Sequence, residues 1–429
     1  MLPSADRSLF PGNHPWQMLR LPHGTRHRVF YNGATAWTFL PARLPPDPPV
    51  AWSRRTARSF DAAMLALGRL ESVETRYLPF DLKQALIQRE AIVSLAIEGS
   101  DLSLEQLIMH QSGHPTAPHV PNIVNRARNA VAAVESGLQA VDEGQESSTE
   151  LLKRFHKLLV AEPRLREYGI RKHQGVPGEL REEWLWPGGL IRESRPNMRT
   201  LPEDLPACMA ELDAFLRDDP SGTPGLLKAA LAHAQLDFLH PFVDEFPRTN
   251  LLFTSVLMKH SGLAEGPPLQ FSEHVRDNLM AYRAALDEVR LTGDWHAWLE
   301  FFFGAVGSAA GRTAALYEEV KDRLDRDQSP DTPTGRYATT TEAVLRVMQR
   351  EMLSRPVLSV AELEAGTGAA ASSVRRALSE LRAYGIVREL TGLSRNRLYR
   401  YEPVIHVLTR GTARSASGLL KWPTTARGP

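Results

Sequence analysis

Apolar residues return every three or four positions through most of the 429-residue chain, and this spacing predicts a mainly helical protein. Between 61 and 111 the pattern is carried by Met64, Leu65, Leu67 and Leu70. Within that stretch Ala91-Ile92-Val93-Ser94-Leu95-Ala96-Ile97-Glu98-Gly99 reads as a helix closed by a glycine cap. Helical periodicity continues over 121–142, 149–161, 207–217, 226–239, 250–261, 277–289 and 295–327. Residues 169–206 interrupt it with scattered glycine and proline; the stretch is too long for a plain connection and predicts a hairpin or a functional loop. A second interruption, 240–248, is a short loop between two apolar helices. The first 60 residues are rich in proline, arginine and aromatics, and the five prolines between 41 and 49 exclude a helix there and predict an extended run.

Residues 328–335 have the composition of a linker. The stretch 340–401 then reads as a separate small unit of three helices and a hairpin around Gly392. Residues 358–363 open a helix-turn-helix, Gly366-Thr367-Gly368 make the turn, and 371–381 form the second helix. On that helix Val374, Leu378 and Leu381 share one face, while Ser372, Ser373, Arg375 and Arg376 point elsewhere. Strands are expected from 385 and at 398–401, and the unit resembles a winged helix. From 371 to 400 there are seven arginines and two glutamates, a balance of +5. That suits phosphate contacts and makes Ser372, Ser373, Arg375, Arg376, Arg395 and Arg397 the candidate contacts to double-stranded DNA. Protein contact or homodimerisation is the alternative use of such a unit. The last 20 or so residues read as a poorly ordered tail.

Composition narrows the classes. A net charge of +1 means that any nucleic-acid function must come from a local patch. The single cysteine, Cys208, excludes an internal disulfide framework and a multi-cysteine zinc site, and fits a reducing compartment. No apolar run is long enough to span a bilayer, and the N-terminus lacks the order of a secretory signal, so a cytoplasmic protein with no membrane partner is expected.

The loop carries candidate chemistry. In His240-Pro241-Phe242-Val243-Asp244-Glu245-Phe246-Pro247-Arg248, a histidine directly after a helix can act as general base toward a hydroxyl. Asp244 can hold Mg²⁺, a hard cation that prefers oxygen ligands. Backbone N–H groups at the start of the following helix make an anion nest, and Arg248 can neutralise phosphate. The plainer reading is that the His-Pro pair caps one helix and starts a turn.

These residues resemble the Fic family signature, His-Pro-Phe-x-Asp/Glu-Gly-Asn-Gly-Arg-x-x-Arg, with His240, Pro241, Phe242, Asp244 and Arg248 in register. Ala230-Leu231-Ala232-His233-Ala234-Gln235 is similar to the family's core helix, and Gly293-Asp294-Trp295 with Trp298-Leu299-Glu300-Phe301-Phe302 to its closing helix. Phe155-His156-Lys157-Leu158-Leu159 and Gly169-Ile170-Arg171 resemble the elements leading to the flap. The resemblance spans about 35–325. It implies a Fic-type helical core with a small β-hairpin flap, joined here to the C-terminal winged helix-turn-helix. It further implies transfer of AMP from Mg²⁺-bound ATP to a Ser, Thr or Tyr hydroxyl of a protein target, with Tyr282 near the adenine. Ser94-Leu95-Ala96-Ile97-Glu98-Gly99 fits the family's inhibitory pattern, in which the glutamate pairs with the second arginine of the loop.

Four departures from the signature act in one direction. Glu245 and Pro247 replace glycines, Phe246 replaces asparagine, and Leu251 replaces the second arginine. Pro247 has no N–H to give a phosphate. Glu245 adds a charge that would repel a phosphate by about 1 kcal/mol in water and about 4 kcal/mol at an effective dielectric of 20. Leu251 leaves Glu98 without its family partner, so the inhibitory pairing is expected to be lost. Three functions stay open: an altered transferase using ATP and Mg²⁺, a cofactor-free pseudo-enzyme that regulates transcription or senses a ligand, and a pocket reused for a non-nucleotide substrate. The expected divisions are 1–60 as a Pro-rich extension, 61–120 as the inhibitory-type helical region, 121–327 as the core, 328–337 as linker, 338–405 as winged helix and 406–429 as flexible tail.

Overall fold

The computed structural model describes residues 18–31, 34–76, 82–111, 122–161, 175–183, 199–219, 221–264, 266, 268–328, 338–351 and 357–412. It is mainly α-helical with two small antiparallel sheets. The N-terminal elements are β1 (Met18–Leu21), β2 (Gly24–Tyr31), β3 (Ala34–Pro41), α1 (Arg54–Arg76), α2 (Lys83–Ile97) and α3 (Leu104–Gln111). The body follows with α4 (Asn122–Asp142), α5 (Thr149–Leu159), α6 (Leu205–Arg217), α7 (Gly225–Leu239), α8 (Phe246–His260), α9 (Phe271–Asp277), α10 (Leu279–Thr292) and α11 (His296–Gln328). The C-terminal elements are α12 (Thr339–Glu351), β4 (Val357–Ser359), α13 (Val360–Thr367), α14 (Ala371–Ala383), β5 (Val387–Glu389), β6 (Leu398–Tyr401) and α15 (Glu402–Thr409).

The helical stretches read from periodicity are present, with three corrections. The Pro-rich extension contains a meander, β1-β2-β3, in which β2 pairs with β3 from Gly24↔Pro41 to Tyr31↔Ala34. In α1 the inward stripe is Ala63, Leu67 and Leu70, whereas Leu65 is 58% exposed. The segment assigned to a flexible tail begins within α15, whose Val404, Ile405, Val407 and Leu408 are buried. The expected hairpin flap and most of the linker and tail lie outside the described residues.

Two helices are enclosed on nearly every side. Along α2 every residue from Ala85 to Ile97 is buried, and along α7 all but a few are. A helix that is apolar all round belongs in a core, and the rest of the body wraps these two. The α2 helix stops where Gly99 turns to φ 93°, a conformation open to glycine, with Gly99 N–H bonded to Ala96 O and Ser100 N–H to Leu95 O.

The C-terminal elements share one continuous apolar core with the body. Their three strands run in the order β4-β6-β5. Helix α13 begins at a capping box, in which Glu362 N–H reaches the Ser359 hydroxyl while the Glu362 carboxylate accepts from Ser359 N–H. Arg400 on β6, almost fully buried, is 3.0 Å from Glu105 on α3. Arg89 on α2 donates to Arg410 O at 2.7 Å and to Glu273 at 2.9 Å. Charged and carbonyl groups therefore hold the C-terminal elements to α3 and to α2, the helix capped at Glu98.

Candidate functional site

The site is the turn between α7 and α8. Its backbone is bent at two left-handed residues, His240 at φ 46° and Glu245 at φ 54°. Non-glycine residues hold such angles only when their surroundings determine them. Contacts from Arg181 and His156 do so. Arg181 N–H donates to Pro241 O at 2.8 Å, and Arg181 Nε donates to His240 O at 2.7 Å. The same guanidinium reaches Leu239 O at 3.2 Å and also Thr200 O, placing a cation at the C-terminal end of α7. From the other side His156 Nε2 donates to Asp244 O at 2.9 Å, and its Nδ1 accepts from Gly178 N–H at 3.0 Å. A carbonyl only accepts and an amide N–H only donates, so these two bonds fix the neutral tautomer with the proton on Nε2. The ring stacks on Phe242 at 4.0 Å. Burial lowers its pKa to about 4, against weaker opposing effects of Asp244 O and Glu245.

His240 is buried, and its imidazole packs against Phe246 at 4.7 Å between ring centroids. Burial first, then Arg199, Arg181 and Arg290, hold its pKa well below the usual range. The ring is thus neutral at pH 7, the form of a general base, though a weak one.

Helix α8 starts at Phe246, so 246–248 form its first turn and not the end of the loop, as expected from the sequence. Pro247 fits such a start, where its missing N–H breaks no helical bond. Phe246 is fully buried. Leu251 is buried at 1% exposure, a core residue of α8. Glu245, at the N-cap of this helix, turns its carboxylate into a nearly closed space, where Arg248 Nε lies 3.1 Å away. Arg126 Nη2 on α4 approaches the two oxygens of the same carboxylate at 2.8 and 3.0 Å. Arg126 also pairs with Glu98.

The inhibitory pairing with the loop, expected to be lost, is replaced by another. Glu98 is paired, but with Arg126 and not with a residue of the loop. Burial alone would lower the Arg126 pKa, yet Glu245 and Glu98 outweigh it and raise it. The other members of the motif are structural: Ser94 is buried and its hydroxyl donates to Ala91 O at 2.7 Å, and Gly99 makes the turn. Tyr282, expected beside an adenine, is 2% exposed, with its hydroxyl 2.9 Å from His233 Nε2 and its ring edge-on to Trp298.

The donors of this turn do not fit a nucleoside triphosphate. At the N-terminus of α8, where backbone N–H groups and Arg248 would meet phosphate, Glu245 already supplies the anion. Asp244 remains in the turn, but among the described residues no group of three or more His, Cys, Asp or Glu could hold a metal ion. In the C-terminal elements, α14 buries Val374, Leu378 and Leu381 and exposes Ser372, Arg375 and Arg376; Ser373 is half-buried, and Arg395 and Arg397 are exposed near the hairpin tip.

Sequence reading missed Arg126, Arg181 and Arg199, because nothing in their local pattern points to residues far along the chain. His156 lay within a segment singled out for its resemblance, without a role. No helix among the described residues is long and apolar enough to cross a membrane.

No protein-family model matches the chain. Solved structures do resemble it. A Fic family protein from Desulfovibrio desulfuricans aligns over 82% of this chain and 97% of its own, at 20% identity and a TM-score of 0.50. A Fic domain-containing signaling protein from Bacteroides thetaiotaomicron aligns over 61% of this chain and 95% of its own, at 17% identity and a TM-score of 0.43. Fic-1 from C. elegans aligns over 61% of this chain and 73% of its own, at 20% identity and a TM-score of 0.43. The first of these likenesses establishes that the chain has the Fic fold.

Proposed function

We propose that this Fic-fold protein is a DNA-binding regulator whose core has given up nucleotide transfer and serves as a ligand-sensing scaffold. The observation that carries the reading is the Glu245 carboxylate, held between Arg248 and Arg126 at the N-terminus of α8. An internal anion there meets the electrostatic demand that a bound phosphate would meet, and repels a second one. The order of α12, α13 and α14 with the β4-β6-β5 sheet supports reading 338–405 as a winged helix. Exposed Ser372, Arg375, Arg376, Arg395 and Arg397 then supply phosphate and groove contacts, with Ser373 beside them.

The test has two arms on the full chain. A mobility-shift assay with duplex DNA should show binding that weakens with salt and is reduced in Arg375→Ala and Arg376→Ala. Binding unchanged in both variants would remove α14 as the reader. Incubation with Mg²⁺ and ATP labelled at the α-phosphate should label neither this protein nor an added protein substrate. A second reading, an altered AMP transferase acting on a protein hydroxyl, is favoured by the presence of His240, Asp244 and Arg248 on one turn. Label transfer would establish it and overturn the first.

A further inference from the structure

We propose that the C-terminal end of α7 holds a binding site for a small oxyanion, the chemistry shared by carboxylates and phosphates, with Arg199 as its main ligand and His240 beside it. The inference deepens the reading of the core as a ligand sensor. It is separate from the nest at the start of α8, which Glu245 closes.

Three guanidinium groups gather at this helix end, and they are not equivalent. Arg290 is neutralised: it pairs with Asp237 and Asp287 and lies 4.9 Å over the Phe238 ring, although its Nε is also enclosed without a hydrogen-bond partner among the described residues. Arg181 is satisfied in hydrogen bonds but not in charge, because the partners of its side chain are backbone carbonyls, those of His240, Leu239, Thr200 and Glu183. Arg199 differs from both. Its backbone is fixed, since its carbonyl accepts from Phe39 N–H and the adjacent Thr200 hydroxyl donates to Phe39 O at 3.0 Å. Its Nη1 is enclosed and has no hydrogen-bond partner among the described residues.

The carboxylates nearby do not complete Arg199. Asp237 acts on it electrostatically but is bonded to Arg290, and Asp287 belongs to the same arginine. Glu203 acts on Arg181. The three carboxylates match the three guanidiniums in number, but none of them accepts a hydrogen bond from the enclosed Arg199 Nη1. An enclosed guanidinium donor without an acceptor is costly, and such a group calls for an acceptor from outside the chain. An oxyanion would accept from Arg199 Nη1 and offset the field that, after burial, depresses His240. Nucleotide-sized ligands are not required; of the substituted loop residues, Phe246 reaches this end of α7, where it packs against His240.

The experiment titrates the full-length protein with inorganic phosphate and, separately, with acetate, by calorimetry and by the ¹⁵N shifts of the His240 ring. Binding of one of them in the millimolar range is expected, and the stronger one identifies the source class. Arg199→Ala should weaken it by about tenfold or more, and Arg199→Lys should recover part of the loss. The bound anion should raise the pH at which His240 titrates. Arg199→Gln, which keeps the bulk and a donor, replaces the alanine variant if that one does not fold by circular dichroism. Arg375→Ala with Arg376→Ala should bind the anion like the parent. The inference is overturned if neither anion binds at about ten millimolar, or if binding is the same without the Arg199 charge. Parental DNA binding is measured alongside, so anion binding without DNA binding would sink the regulator proposal alone.

Discussion

Arg126 Nη2 contacts both carboxylate oxygens of Glu245, at 2.8 and 3.0 Å, across 119 positions of sequence. The same guanidinium holds Glu98, and Glu245 in turn holds Arg248. This chain of alternating charge closes the N-terminus of α8 from within and joins the ends of α2, α4 and α8. A substitution that looks in isolation like the loss of a phosphate-binding glycine is, in the fold, the gain of an internal anion.

Removing Arg126 should therefore be expensive. In Arg126→Ala, Glu245 keeps Arg248 but loses its closest partner in a nearly closed space, and Glu98 loses its cation. Breaking a partly buried pair from one side is expected to cost about 2–4 kcal/mol. Urea unfolding measures it. Adding Glu245→Gln to Arg126→Ala should recover part of the loss, because the buried charge is gone; a double variant as unstable as the single one would contradict this account.

Restoring the family residues tests the loop. The variant Glu245→Gly, Phe246→Asn, Pro247→Gly, Leu251→Arg should bind Mg²⁺-ATP by calorimetry where the parent does not. It should also be less stable than the parent, since Leu251 and Phe246 are core residues. Failure to bind ATP in a folded variant would mean that the pocket has changed beyond these four positions.

Acid should loosen the turn. The His156 ring has a pKa of about 4 in the fold, against about 6.5 when unfolded. Between these values the unfolded chain binds a proton that the folded chain does not. The contribution is thus fully present above about pH 6.5 and is lost as pH falls to about 4, for a total of ~3 kcal/mol. His233, lowered to about 3 by burial, acts in the same direction. The slope of unfolding free energy against pH should be shallower in His156→Asn, which cannot take up the proton.

Tyr282→Phe separates a core role from a ligand role. The hydroxyl lies 2.9 Å from His233 Nε2, and His233 Nδ1 lies 2.7 Å from the Thr254 hydroxyl. Thr254 donates to Asn250 O, so its oxygen accepts from His233, and the Tyr282 hydroxyl is left as the donor to Nε2. Loss of that donor leaves a fully buried acceptor unpaired, at a cost of about 1–3 kcal/mol. Thermal unfolding should report this loss, while anion and DNA binding of the folded variant match the parent.

Much of the fold was legible because it is local. Periodicity placed the helices of the body, Gly99 announced the end of α2, and the heptapeptide-like stripe Val374, Leu378, Leu381 set the inward face of α14. What escaped was of two kinds. The β1-β2-β3 meander was hidden by proline-rich composition, and α15 was hidden by its short length next to a polar tail. The start of α8 was misplaced by four residues because Phe246 and Pro247 were weighed as lost phosphate ligands, when they also begin a helix well.

The residues of the turn by themselves determined that His240, Asp244 and Arg248 stand together and that 245, 246, 247 and 251 depart from the family's cradle. They could not say what fills it. Only the tertiary structure brought Arg126 from α4 to Glu245, His156 from α5 to the carbonyl of Asp244, and Arg181 to the carbonyl of His240, across 119, 88 and 59 positions. Helical spacing records which side of a helix faces inward, but it does not record which other helix arrives there. The charge balance of a buried site depends on that second fact, because in a medium of low polarity each cation is set by its nearest neighbours and not by its neighbours in sequence.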